Sequence, residues 1–372
     1  MTDNTALWLS SKRAAFALGP APFPSAQSGE IVIRTRAIAV NPMDRLVQTS
    51  GDLMTPYLQY PAILGSDVAG EVVAVGSDVT RFMVGDRVVG FAASTDKTRN
   101  RPAEGAFQTH VVLLEHMTAA IPDALAFEDA SALPLGISTA ACALFQRDFL
   151  ALNPPAKGAL ATGQTVLVWG GSTSVGSNAV QLAVAAGYDV IATASPRNFD
   201  LLKRLGATAV FDYRDPTVVA AISAALRGKT VAGAVAIGAG SVQPCIDILG
   251  TCEGKRFIAT ATPPASFDEV PARRGHWRKL IAAIARTVAG NIALAVRARR
   301  KKVTLKMIWG STLISNEVGP MIFDTFLPDA LADGRYVAAP AVEVVGHGLA
   351  AIPAALERQR RGVSATKLVV TL

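Results

Sequence analysis

TVLVWGGSTSVGSNAVQLAVAAGYDVIATASPRNFDLLKRLGATAVFDYRD, Thr165 to Asp215, decides the fold. An apolar run from Thr165 to Trp169 enters a glycine-rich turn, a helix follows to Ala186, and DVIATA reads as a second strand. A second helix and a third strand at Ala209 to Phe211 complete the pattern. Short apolar strands alternating with helices form the βαβαβ unit of a parallel doubly wound sheet. VAGAVAIGAG (Val231 to Gly240) and KRFIATAT (Lys255 to Thr262) supply two more strands.

Outward from this block the pattern changes. The first 120 residues read as strands and turns: EIVIRTRAIAV (Glu30 to Val40) alternates, VAGEVVAVG (Val68 to Gly76) is β-branched, and DRVVGF follows a turn at Gly85 and Asp86. Beyond residue 302, KMIWGSTLI, the helix-like EVGPMIFDTFLPDALADGR and a last strand KLVVTL close the chain. At 372 residues, two domains are the expectation. Half the residues are hydrophobic, 17% are charged and mean hydropathy is +0.33, which excludes a disordered or fibrous chain.

The net charge of +7 is unevenly placed. Eleven Lys or Arg and no acid lie between Val270 and Asn316, and the rest of the chain carries 25 basic against 29 acidic residues. General affinity for nucleic acid is therefore not expected. Cys142, Cys245 and Cys252 are too few and too irregular for a disulfide framework and read as small buried side chains. The opening MTDNTALWLSSKRAAF has Asp3 and Asn4 where a secretory signal would be basic, so a cytoplasmic location is expected. The 31 uncharged residues from Gly158 to Tyr188 are long enough to span a bilayer, but GGSTSVGSN at their centre suits a loop.

Gly170, Gly171 and Gly176, with Ser172, Thr173, Ser174 and Val175 between them, lie between strand and helix, where a dinucleotide pyrophosphate is held. Thr173 stands where the middle glycine of the motif is usual, so it either keeps the phosphates further out or donates its hydroxyl to them. Sites selective for NADH place an acid at the end of the second strand. Here that end is Thr193-Ala194-Ser195-Pro196-Arg197-Asn198, so a 2′-phosphate is not repelled, and Ser195, Arg197 and Asn198 favour NADPH. Ile237 and Gly238, ending the fourth strand, complete the expected cofactor contacts.

The run YPAILGSDVAGEVVAVGSDVTRFMVGDRVVGF, with AVNPMD upstream and DASALPLGISTAACAL and the GGSTSVG turn downstream, resembles the medium-chain dehydrogenase/reductase superfamily. The resemblance covers nearly the whole chain and is strongest to the zinc-free quinone oxidoreductase and enoyl reductase branch, including stand-alone enoyl reductases that serve polyketide synthases. It implies an α/β protein: a Rossmann domain at residues 141–310, with a basic helical insertion near 270–302, and a β-rich GroES-like catalytic domain from residues 1–140 and 311–372. It further implies an active site between the two domains, and a tyrosine, here Tyr213, beside the adenosine 2′-phosphate. A monomer or homodimer is expected.

In zinc alcohol dehydrogenases of the superfamily the catalytic ligands align with Asn41, Ser66 and Leu135 here, which cannot make a tetrahedral zinc site. His110, His116, His276 and His347 are scattered singly, so no metal is expected. The function implied is NADPH-dependent reduction of an enone, an enoyl thioester or a quinone. The alternatives are a non-catalytic NADPH-binding protein and an alcohol dehydrogenase-like carbonyl reductase. Asn41 and Arg45 are the candidate donors to developing negative charge, Asp44 braces the loop, and Tyr57 is the candidate acid, with water as the alternative. In the basic segment, Trp277, Leu280 or Ile281, Ile284, Val288 and Ile292 make one apolar helix face. That face is expected to pack on the Rossmann edge; an anionic membrane or an acidic partner such as acyl carrier protein is the alternative.

Overall fold

A computed structural model describes residues 3–51, 55–261 and 277–372, with side chains from 289 onward in the last segment. Arg273, Arg274 and His276 of the basic segment lie outside the described residues. The chain divides into two compact units, Met1–Ser138 with Ser311–Leu372, and Thr139–Gly310.

The second unit carries the doubly wound sheet. Its strands are β1 (Gln164–Trp169), β2 (Asp189–Ala194), β3 (Ala209–Asp212), β4 (Thr230–Ala236), β5 (Phe257–Thr260) and β6 (Thr304–Met307). They pair in the order β3-β2-β1-β4-β5-β6, all parallel, and Glu253–Gly254 adds a short strand against the start of β4. The order reverses between β1 and β4, the switch point at which such sheets bind ligands beyond their carboxyl ends. Helices α1 (Ser174–Ala185), α2 (Phe199–Arg204), α3 (Val218–Ala225), α4 (Val242–Leu249) and α5 (Trp277–Arg300) connect the strands. Both faces of the sheet are covered, so β1 is apolar throughout: Val166, Leu167 and Val168 are fully buried.

The first unit is β-rich. Its larger sheet runs Ala341–His347, Thr366–Thr371, Glu30–Ala39, Asp67–Val75, Arg87–Phe91 and Thr118–Ala120, with His110–Leu114 also paired to Glu30–Ala39. The Ala341–His347 and Thr366–Thr371 pair is parallel, and the rest are antiparallel. Alternation in Glu30–Ala39 sends Ile31 and Ile33 into the core, while Arg34 and Arg36 reach across to Glu71 on the neighbouring strand. A three-stranded sheet, Phe16–Ala21, Asn4–Leu9 and Ala62–Ile63, packs onto the same core.

The α/β class and both sheets agree with the sequence reading. The packing of α5 differs from it. Leu294 and Ala298 meet the core of the second unit, whereas Ile292, placed by its spacing on the packed face, is 59% exposed. Ile292 is the one position of the expected packed face with a described side chain; the side chains of Trp277, Leu280, Ile281, Ile284 and Val288 lie outside the described residues. All three cysteines are buried. Among the described residues no helix is long and apolar enough to cross a membrane.

Candidate functional site

At the carboxyl end of β1 the chain turns through Gly170 at φ +86°, a left-handed conformation that glycine adopts freely. Two hydrogen bonds tie the turn to the end of β2: Gly170 N–H donates to Thr193 Oγ1 at 3.0 Å and Gly171 N–H to the Thr193 carbonyl at 2.8 Å. At Gly176 a Cβ would stand 2.2 Å from the Gly170 carbonyl oxygen, so the first turn of α1 lies against the loop only because that residue has no side chain. The N–H groups of Ser174 and Val175, at the first two positions of α1, have no intrahelical acceptor, and the positive end of the helix dipole coincides with them. The Ser174 hydroxyl is shielded from solvent without a hydrogen-bond partner among the described residues. This is the donor set a pyrophosphate needs.

Thr173 uses its hydroxyl within the loop, which bears on the second of its two expected roles and leaves the first, spacing of the phosphates, as an expectation. It caps α1: Oγ1 accepts from Gly176 N–H at 3.0 Å and donates its proton to the Gly170 carbonyl at 2.8 Å. The motif's missing glycine has become a helix cap, which leaves no hydroxyl proton for a phosphate.

Ser195 ends β2 beside Tyr213 at the end of β3, since Ala194 and Asp212 are register partners. A hydrogen bond with Ser195 pulls the Tyr213 phenol below its usual pKa, and Arg214 acts in the same direction. The Arg214 guanidinium lies 5.2 Å from the Tyr213 ring centroid. Arg197 is exposed in the turn Pro196–Asn198, and Asn198 Nδ2 donates to Ser172 Oγ at 3.3 Å, linking this rim to the glycine turn. Ile237 N–H bonds the Trp169 carbonyl, and Gly238 follows at φ +94°. The second unit thus gathers all thirteen of the cofactor positions read from the sequence around the ends of β1, β2, β3 and β4. Arg214 is a cation that the sequence reading passed over.

The first unit holds a different arrangement. Asn41 precedes the helix Pro42–Ser50, and its N–H donates to Asp44 Oδ2 at 2.8 Å, so Asp44 braces the loop as expected. The Asn41 side chain is engaged at both ends. Lys367 Nζ donates to its Oδ1 at 2.5 Å, and its Nδ2 donates to Asp67 Oδ2 at 2.9 Å. Lys367 Nζ also lies 2.7 Å from Asp67 Oδ2, and Asp67 Oδ1 accepts from Leu135 N–H at 2.6 Å. Asp67 is fully buried and Lys367 nearly so. Burial pushes the Asp44 carboxyl up to about 7, and the Asp67 charge adds to that rise against the opposing Asn41 bonds and Lys367 charge.

Arg45 is half-buried on the same helix. Tyr57 is half-buried elsewhere in the unit, its hydroxyl donates to the Thr95 carbonyl at 3.0 Å, and burial followed by the Asp96 charge raises its pKa. A phenol so placed gives up its proton less readily than a free one. Asp67 and Lys367 were not singled out from the sequence. The only available signal for Lys367 was an inward position in the apolar strand KLVVTL, where a lysine requires a buried partner.

A zinc ion does not fit these residues. Asn41 Oδ1 and Asp67 Oδ2 already face an ammonium, and Leu135 at the third ligand position offers no lone pair. Among the described residues no three His, Cys, Asp or Glu side chains gather as a metal site.

The alcohol dehydrogenase GroES-like domain model matches residues 27–123, and the zinc-binding dehydrogenase model matches residues 174–252. The dehydrogenase pigH of Monascus ruber is 47% identical over all of both chains. The trans-enoyl reductase himH of Aspergillus japonicus is 37% identical, over 99% of this chain and 97% of its own. An alcohol dehydrogenase superfamily protein from Novosphingobium aromaticivorans shares the fold with a TM-score of 0.71 and 24% identity, each chain covered completely. With its Rossmann turn and GroES-like sheet so matched, the chain belongs to the medium-chain dehydrogenase/reductase superfamily and is an enoyl-reductase-like oxidoreductase of it.

Proposed function

We propose that this chain is a zinc-independent reductase that uses NADPH to reduce an activated carbon–carbon double bond, in an enone or an enoyl thioester. The observation that carries the reading is the buried ammonium of Lys367 on the Asn41 amide, where zinc relatives by motif hold a ligand. Alcohol oxidation needs a Lewis acid to stabilise an alkoxide. Reduction of a conjugated double bond needs only orientation, a hydrogen-bond donor for the charge that gathers on the carbonyl oxygen, and a proton. Relatives named trans-enoyl reductases support this choice, and quinones are the second class of acceptor on the same chemistry.

NADPH supplies the hydride when bound. The chain's own contribution begins at the N–H groups of Ser174 and Val175, which hold the pyrophosphate. Ser195, Arg197, Tyr213 and Arg214 read the 2′-phosphate, with no acid at the end of β2 to repel it. Asn41 has one amide hydrogen beyond that given to Asp67, and the ammonium on its Oδ1 polarises the amide and strengthens that remaining donor. Arg45 is the second candidate donor. Tyr57 has its proton on a backbone carbonyl, which favours water as the proton source.

The test is a panel of enones, enoyl thioesters and quinones, followed by loss of the NADPH absorbance band, on protein with its metal content measured. Turnover without stoichiometric zinc is expected. Binding of NADPH with no turnover on any acceptor would identify a non-catalytic binding protein, and zinc-dependent turnover would overturn the reading of Asn41. Asn41→Ala is expected to lower kcat by roughly 10- to 1000-fold, the range for a lost oxyanion donor, with NADPH affinity little changed.

A further inference from the structure

Over its described side chains, from residue 289 onward, helix α5 is held to the second unit by one side. Leu294 and Ala298 pack into its core, and Arg297 and Lys301 converge on Asp247 of α4, at 2.7 Å and 3.4 Å. The opposite side is exposed. Ile292 and Val296, one turn apart, are 59% and 45% accessible. Arg299 and Arg300 stand three and four residues after Val296 and so flank this apolar row on its two sides. Lys302 follows, exposed like them, and no salt bridge of Arg299, Arg300 or Lys302 occurs among the described residues.

We propose that this outer face of α5 is an interfacial helix that seats the protein on an anionic lipid surface. The exposed row is convex, the ridge of one helix, and so suits a plane. Its hydrocarbon centre with cations on both flanks is the distribution in which apolar side chains enter the acyl boundary while arginines reach the headgroup phosphates. No acid between Val270 and Asn316 opposes the negative surface potential. Arg297 and Lys301 share Asp247 and so face the helix's own unit, apart from the exposed row. An acidic carrier protein would use the same cations, but it has less need of two bare aliphatic side chains between them. The reading is independent of the reductase assignment, because it involves no residue of the cofactor site or of the Asn41 cluster.

Sedimentation of the full chain with vesicles tests it, using phosphatidylcholine alone and phosphatidylcholine with about one-third phosphatidylserine, at low and high salt. Binding to the anionic vesicles at low salt is expected, with little to neutral ones. Arg299→Glu with Arg300→Glu should abolish it, and neutralising either arginine should weaken it about fivefold. Ile292→Ser with Val296→Ser keeps every charge and should still weaken binding by tenfold or more, while circular dichroism shows the wild-type melting curve. The proposal is overturned if the wild type stays in the supernatant with anionic vesicles at low salt. It is equally overturned if the Ser variant binds like the wild type, since charge alone would then be acting. Capture by an acyl carrier protein without vesicle binding would assign the face to a protein partner instead.

Discussion

The glycine turn after Trp169 and the charged cluster around Asp67 both place hydrogen-bond donors at fixed points, yet they are built from opposite materials. In the turn the free donors are backbone N–H groups, the fixing contacts come from Thr173 and from Thr193 on the next strand, and missing side chains at Gly170, Gly171 and Gly176 let strand, loop and helix approach. In the cluster the charges and the amide are side chains, and the parts come from far apart, Lys367 from 326 residues beyond Asn41. Backbone donors carry no net charge and need no counter-ion. A buried ammonium and carboxylate have each left water, and the pair persists only while both partners and their hydrogen bonds remain. The turn should therefore tolerate changes at its rim, and the cluster should fail when any one charge is removed.

Lys367→Met is the sharpest way to break that contrast. It leaves Asp67 buried and ionised with only the Asn41 amide and the Leu135 N–H, and a loss of about 3–5 kcal/mol in unfolding free energy is expected. Adding Asp67→Asn should recover much of it, since the uncompensated charge is then gone. Urea melts of the two single variants and the double variant measure this directly. A Lys367→Met protein as stable as the wild type would show that the pair contributes no net stability.

Asp44, on the edge of the same cluster, gives the second test. Its folded pKa is raised from 3.8 to about 7, so between those values the folded chain keeps a proton that the unfolded chain has lost. The associated stability is fully present below the unfolded value and is lost as pH rises through about 7, an effect of order 2–4 kcal/mol at most. Asp44→Asn mimics the protonated form, and its Oδ1 can accept the same Asn41 N–H. Its Tm should fall less than that of the wild type between about pH 5 and about pH 8. Parallel Tm curves for the two proteins would place the titration elsewhere.

How much could be read in advance follows the same division. The doubly wound order, the three glycines and the missing acid after β2 were legible because each is a local pattern within a few dozen residues. Asp67 and Lys367 were not, because Asp67 sits in an unremarkable GSD triplet and its partner lies on the last strand, joined to it only by the sheet pairing of Thr366–Thr371 with Glu30–Ala39. Thr173 stands out in the sequence as a departure from glycine, but its use as a helix cap depends on the course of the turn, which brings its hydroxyl to the Gly170 carbonyl and the Gly176 N–H. For α5 the spacing located the helix and set Ile292 inward, whereas the contacts that hold it include Arg297 and Lys301 on Asp247 of α4, a partner about fifty residues away that helical spacing does not reveal.

At the rim of the cofactor turn the effects should be smaller and selective. Arg197→Ala is expected to weaken NADPH binding by roughly 10- to 150-fold, the worth of a charge-assisted bond to the 2′-phosphate, with NADH binding unchanged. Equal losses for both cofactors would remove Arg197 from that role.

Arg214 should matter least. It is exposed and already rests near the face of Tyr213, so a 2′-phosphate would gain from it only a solvent-screened attraction. Arg214→Ala is expected to reduce NADPH affinity by about 2- to 5-fold at low salt and to have almost no effect at high salt, because an exposed pair is worth roughly 0.2–1 kcal/mol and is screened. The Arg197→Ala loss should survive high salt better if that guanidinium makes a direct bond to the phosphate. Combining the two substitutions separates additive neighbours from a coupled clamp: independent cations give losses that multiply, whereas a shared grip on one phosphate makes the second loss depend on the first. A loss at Arg214 as large as at Arg197, and equally resistant to salt, would mean that the phosphate is held between the ends of β2 and β3 by both arginines. The rim of the turn would then depend on paired side-chain charges as the Asp67 cluster does.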